Sequence, residues 1–135
     1  MKNSIDIQML IYKAIREYVE SKISGKVYMQ DCRPLNSTLE DAIIGVSTIS
    51  GGQVQDGRAR INIYCKDINA GGKRLMPNLS RLHELSAMTN TIVELLEDAN
   101  EEYEWSVFQA PQIEADIDVK QHFVSIGLEF RIMTF

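Results

Sequence analysis

Two cysteines, two histidines and three prolines are all that 135 residues contain of those types, and each scarcity closes off a class of protein. Cys32 and Cys65 form no C-x-x-C pair and have no histidine at metal-ligand spacing, so no zinc motif is present. The expectation is two free thiols, buried or half-buried, in place of a disulfide. No run of eighteen apolar residues occurs, and the first residues, Met1 to Ile7, lack the apolar stretch and small-residue cleavage site of a secretory signal. The expected setting is therefore a reducing cytoplasm, or release from one without passage through a secretion channel. Glycine pairs at Gly51-Gly52 and Gly71-Gly72 match neither G-x-G-x-x-G nor a Walker A sequence. His83 and His122 have no serine or cysteine at a nucleophile–base spacing, so each reads as a structural or surface histidine.

What is present belongs to a folded chain: 44% hydrophobic and 24% charged residues, at a length that suits one domain with a core of its own. The net charge of -5 argues against a general nucleic-acid binder, although it leaves room for a local basic patch.

Apolar residues at Ile7, Leu10, Ile11, Ala14, Ile15, Tyr18 and Val19 fall on one face of a helix. Ser4 is its expected cap and Ser24-Gly25 its expected end. The mixed charge of the polar face favours packing on the protein's own sheet over a membrane. Short strands are expected at 26–29 and 42–49, then a cleanly alternating one at 58–66. There Ala59, Ile61, Ile63 and Cys65 face one way, against Arg58, Arg60, Asn62, Tyr64 and Lys66. The last two read as a hairpin with a long tip, Gly51 to Gly57, suited to meeting a partner. Pro77, with Asn78 or Ser80, opens a second helix whose apolar face runs from Leu82 to Ala99. A strand over 104–113 bends or lies at an edge near Pro111, and the last strand alternates from Val124 to Met133. The expectation is one α+β domain, 1–135, with two helices on a mainly antiparallel sheet in the order α-β-β-β-α-β-β.

Glu114, Asp116 and Asp118 alternate, so in an extended chain their carboxylates emerge on one side. They are the candidates for a metal-dependent nuclease; a solvated acidic connection is the plainer reading, since neither an EF-hand spacing nor a basic helper stands beside them. Charge placement is more informative. Residues 58 to 81 hold Arg58, Arg60, Lys66, Lys73, Arg74 and Arg81 against Asp67, a balance of +5. Residues 84 to 118 hold ten acids and no base, including Glu97, Asp98, Glu101 and Glu102 at the C-terminal end of the second helix, where they oppose the macrodipole. Either the acids form a solvated face, or a basic hairpin on one subunit meets an acidic surface on the next, a heterologous contact that closes into a ring or runs on as a filament.

Four runs carry a family resemblance: Arg33-Pro34-Leu35-Asn36-Ser37, Glu40 to Ile44, Gly52 to Gly57, and Arg60 to Ile68. Together with the element order and the long last strand, they make the chain resemble the tail-terminator (tail-completion) proteins and head-tail joining proteins of tailed phages and prophages. The resemblance implies a non-enzymatic structural protein without cofactor or metal. It implies a ring, hexameric in that family, which caps the tail tube, meets the head connector, and passes DNA through a channel without specific binding. It also implies assembly in the host cytoplasm and residence in the virion tail or neck, with no membrane involved. A head-completion or other minor tail role is the alternative within the family. On this mapping Gln53, Gln55, Arg58, Arg60 and Arg74 meet a neighbouring subunit or the tube, while Glu97, Asp98, Glu101, Glu102, Glu114, Asp116 and Asp118 line the channel or an interface.

Overall fold

The computed structural model describes residues 3–49, 54–69, 71 and 75–133. The first helix, α1 (Ser4–Glu20), starts one residue earlier than Ser4 would cap it. Asn3 is the cap, its side chain accepting from the Asp6 N–H at 2.8 Å while the Asp6 carboxylate accepts from the Asn3 N–H at 3.0 Å. Ile7, Ile11, Ile15 and Val19 lie fully buried on its inner face, as the periodicity requires. Each contributes about 1.5–3 kcal/mol of hydrophobic stabilisation relative to exposure. The helix ends at Ser21 in right-handed geometry, so Gly25 is not its cap.

A five-stranded sheet follows the order β1-β2-β3-β7-β6. Its members are β1 (Val27–Met29), β2 (Ala42–Ile49), β3 (Val54–Lys66), β6 (Tyr103–Asp116) and β7 (Gln121–Met133). Only β1–β2 is parallel; the other pairs are antiparallel. The expected α+β architecture is therefore present, with three departures from the expected order. A small two-stranded arm, β4 (Ile68–Asn69) with β5 (Leu75–Met76), stands between β3 and the helices. The second helix is two: α2 (Leu79–Ser86), capped by Asn78, and α3 (Thr89–Ala99), separated at Ala87 and Met88. The strands are also longer than their patterns: β3 takes in residues 54–57 of the expected loop, β6 runs through Pro111 to Asp116, and β7 starts at Gln121. Pro111 does sit on an edge strand, beside register shifts between Val107 and Gln112.

The helices cover one face, closing a core of Ile44, Ile61, Ile63, Leu82, Leu85, Ile92, Leu96, Ile126 and Phe130 with α1. Arg58, Arg60, Asn62 and Tyr64 stand on the other, as the alternation in β3 implies.

One buried carboxylate fastens the turn into this sheet. Asp41, 1% exposed, accepts from the Lys26 N–H at 3.0 Å, from Arg33 Nε at 2.8 Å and from the Ser37 hydroxyl at 2.5 Å. Arg33 also donates to the Leu39 carbonyl and to Gln121 Oε1 on β7, and lies 4.1 Å over the Tyr64 ring. Gly25 is a glycine for this reason: a Cβ there would overlap the Asp41 carboxylate and the Glu40 carbonyl. Next to it, Glu40 takes two bonds from Arg81, at 2.6 and 2.9 Å, tying α2 to the same loop.

Asp41→Ala leaves the Arg33 guanidinium buried without its carboxylate and is expected to cost about 3–5 kcal/mol in denaturant unfolding; a cost under about 1 kcal/mol would show that the fold does not depend on the pair. Arg81 holds the Glu40 carboxyl below its ordinary value by hydrogen bonding, against the opposing effect of burial. The stabilisation that follows is present above the ordinary carboxyl range and is lost as pH falls through the lowered value. Acid unfolding of Glu40→Gln should lack that increment, and a parental acid limb in this variant would disprove the linkage.

Candidate functional site

The bare sheet face carries an arginine–aromatic cluster. In β6 the register slips beside Phe108, and its ring folds over Gly127 of β7, so near that a Cβ would come within 2.8 Å of it. Arg58 lies 4.4 Å from the Phe108 centroid and Arg60 5.3 Å. Arg58 also approaches Glu129 at 3.9 Å, with both side chains about half exposed. Arg60 donates to neutral partners, Ser125 Oγ at 3.1 Å and Gln109 Oε1 at 3.3 Å. The two sequence-chosen arginines therefore come together on one exposed surface. Gln55 does not join them: it lies within β3 on the covered face and is fully buried, which removes it from any contact made by a free loop. Gln53 and Arg74 lie outside the described residues.

The acidic residues divide into two groups. Glu97 and Asp98 at the end of α3, with Glu101 and Glu102 in the turn that follows, are exposed, and among the described residues their carboxylates form no ion pair. They sit beside Tyr103, which pairs with Ile132 at one end of the sheet. Glu114, Asp116 and Asp118 belong to the other end, where Asp116 pairs with Gln121. The length of β6, roughly 40 Å, separates the groups, so the continuous acid block of the sequence is not one surface. Asp116 is also engaged, accepting from the Tyr64 hydroxyl at 2.9 Å and, by its other oxygen, from the Asp118 N–H at 3.2 Å. Burial, with the Asp116 bond second, pushes the Tyr64 hydroxyl up to about 12. Among the described residues no three His, Cys, Asp or Glu side chains gather into a metal site, and the nuclease expectation for Glu114, Asp116 and Asp118 has no geometry behind it.

The register brings together one constellation that spacing did not reveal. Cys65 and His122 are cross-strand partners in β3 and β7, and His122 Nδ1 lies 2.7 Å from Asp67 Oδ1. A thiol, an imidazole and a carboxylate in this order have the composition of a nucleophilic triad. The thiol is nevertheless buried, and burial first, then the Glu40 charge, raises its pKa, the reverse of what activates a cysteine. Cys65 is a core residue. Cys32, expected to be at least half-buried, is exposed, and both are free.

Among the described residues no helix is long and apolar enough to cross a membrane. The chain matches no protein-family model and no curated protein.

A thiol reagent added to the native protein should modify Cys32 at once and Cys65 only on unfolding. Rapid modification of both, followed by mass spectrometry, would contradict the reading of Cys65 as inert.

Proposed function

We propose that this chain is a non-enzymatic structural protein of a tailed phage or prophage, a ring-forming tail terminator at the head-tail junction. The observation that carries the reading is the employment of the residues in which the family resemblance lies. Arg33, Ser37, Glu40 and Asp41 fasten a loop to the sheet, and Arg60 braces the open face against Phe108 and Ser125. These are the tasks of a scaffold that must present a fixed surface.

The distribution of charge agrees with this. Exposed carboxylates stand at both ends of β6, giving the negative surface that a DNA-passing channel needs to repel phosphates. Arg58 and Arg60 are held on a bare sheet face, available to the tube or to a neighbouring subunit. In this role the partners are the chain itself, the tail-tube protein and the head connector, and DNA passes without sequence-specific contact.

Negative-stain microscopy of the purified protein, alone and mixed with tail-tube protein, should show rings, and rings bound at one end of the tubes. Tubes that remain uncapped and copurify with no added chain would overturn the terminator reading. Arg58→Glu with Arg60→Glu should reduce tube capping at least tenfold while leaving the fold intact by circular dichroism.

A further inference from the structure

Strand β1 covers the first part of the β2 edge and no more. It pairs Val27, Tyr28 and Met29 with Ala42, Ile43 and Ile44, whereas β2 runs on to Ile49. The ladder stops at Gln30, whose N–H donates to Gln8 Oε1 on α1 at 3.2 Å. There the chain turns off the sheet, with Asp31 at φ 63° and the Cys32 N–H donating to the Met29 carbonyl. Among the described residues no strand stands beside β2 past Ile44. Backbone direction alternates along a strand: the Ala42 N–H donates to the Lys26 carbonyl on the β1 side, and the Asp41 carbonyl accepts from Tyr64 on β3. Val46 therefore turns its N–H and carbonyl outward at the uncovered edge.

An uncovered edge invites another strand unless proline, charge or a bulge spoils it. Strand β6, at the far side of the sheet, has all three kinds of protection in Pro111, its carboxylates and its register shifts. The stretch Gly45-Val46-Ser47-Thr48-Ile49 has neither proline nor charge, and one register shift, between Ser47 and Ile49, ends its regular part.

Beside this edge the outer face of the sheet holds a recess of about 250 Å³, formed by Val46 with Gln30, Ile43, Ser47, Arg60 and Asn62 around Gly45. It is smaller than the pockets that take small molecules and suits one side chain. A Cβ on Gly45 would meet Gln30 Oε1 alone, at 3.9 Å, so packing does not require glycine there, and its missing side chain leaves the space open. Arg60 is the charged residue of the set, and its bonds go to the neutral Ser125 and Gln109. No acid lines the recess; Glu129, one row along the sheet, is already approached by Arg58.

We infer that the Gly45–Ser47 edge of β2 takes an added strand from a different protein, in line with β1, and that this strand sets an acidic side chain into the recess beside Arg60. Backbone bonds to Val46 supply adhesion whatever the sequence, and the recess selects a carboxylate through a charge-assisted hydrogen bond. Side chains on the other face of the added strand turn toward α1, where Ile5, 61% exposed, stands one helical turn before Gln8. A second copy offers no fitting strand: its β2 edge carries no acid, and its β6 edge is spoiled for pairing. The inference goes beyond the terminator reading and does not depend on it.

Titration of the full-length, nitrogen-15-labelled chain with a capped heptapeptide, Thr-Val-Thr-Glu-Thr-Val-Thr, tests it against the same peptide with Lys in place of Glu. At millimolar concentration the Glu peptide should shift the amide signals of Gly45, Val46 and Ser47 and the Arg60 Nε–H, and should slow hydrogen exchange at Val46. The Lys peptide should bind at least about tenfold more weakly. Gly45→Glu, which fills the recess from within, should weaken the Glu peptide by a similar factor while the rest of the spectrum stays parental, and Arg60→Gln should make the two peptides equal. Absence of shifts at Gly45 to Ser47 with either peptide, or equal binding of both to the parent, would overturn the inference. So would a Val46 amide already protected from exchange in the free chain, or a dimer joined through β2.

Discussion

The fold depends on the Asp41 carboxylate. Strands β1 and β2 are parallel, and a parallel pair needs a long crossover, usually helical, to bring the chain back to its starting end. Here the crossover is the twelve residues 30–41, with no helix among them. An irregular segment of that length has little backbone hydrogen bonding of its own, so side chains must hold it. Asp41 and Arg33 do so through several bonds each: three donors on the carboxylate, and carboxylate, carbonyl, amide and aromatic face on the guanidinium. Burying an ion pair is unfavourable unless its remaining hydrogen-bonding capacity is met in this way. The clasp spans α1's exit, the crossover, β3 and β7, and so positions the end of the sheet from which the arm emerges.

The other edge of the sheet is guarded by different means. β6 is long and faces solvent, which invites pairing with another chain. Pro111 removes a donor, the register shifts between Val107 and Gln112 bend the ladder, and Glu104, Glu114 and Asp116 place like charges along it. The shift that spoils the edge also turns Phe108 onto Gly127, where it supports Arg58 and Arg60. A defence against edge pairing and an ordered arginine surface thus come from one irregularity.

Much of this was legible in residues whose role is local. The alternation of Ala59 to Cys65 and of Val124 to Ile132 places both strands and both faces, and the α1 stripe gives its buried side. Where the reading failed, neighbouring signals were continuous across a break or the deciding partner was distant. Leu85, Met88, Ile92 and Leu96 keep a helical period through the α2–α3 junction, and no glycine or proline marks the turn there. Gly25 resembles a helix cap by spacing, but its reason is Asp41, sixteen residues on. The acids of 84–118 look like one block because sequence does not show that β6 carries the chain from one end of the sheet to the other. Arg33 and Asp41 fall in two separate runs that carry the family resemblance, and only the packed structure joins them and gives their task. Cys65, His122 and Asp67 are the opposite case: strand register brings them together, yet burial leaves the thiol without the chemistry that their types permit.

Polarity along β7 follows from these constraints taken together. With one edge of the sheet blunted by β6, one face filled by helices and the other occupied by braced arginines, most of the remaining exposed apolar side chains lie toward the ends, with Val107 in mid-β6 an exception. The clasp fixes what lies at the Gln121 end: Leu35 and Leu39 on the crossover, Ile117 in the β6–β7 turn, and the arm. At the Ile132 end, α1 and α3 part around Tyr103, with carboxylates gathered beside the opening. Both ends carry exposed carboxylates, Glu114 and Asp118 at one and Glu97, Asp98, Glu101 and Glu102 at the other, so the ends differ in shape more than in sign. A sheet held by a buried ion pair beside the point where the arm departs keeps that end fixed relative to the helix-covered core, because Arg33 ties the crossover to Gln121 at the start of β7.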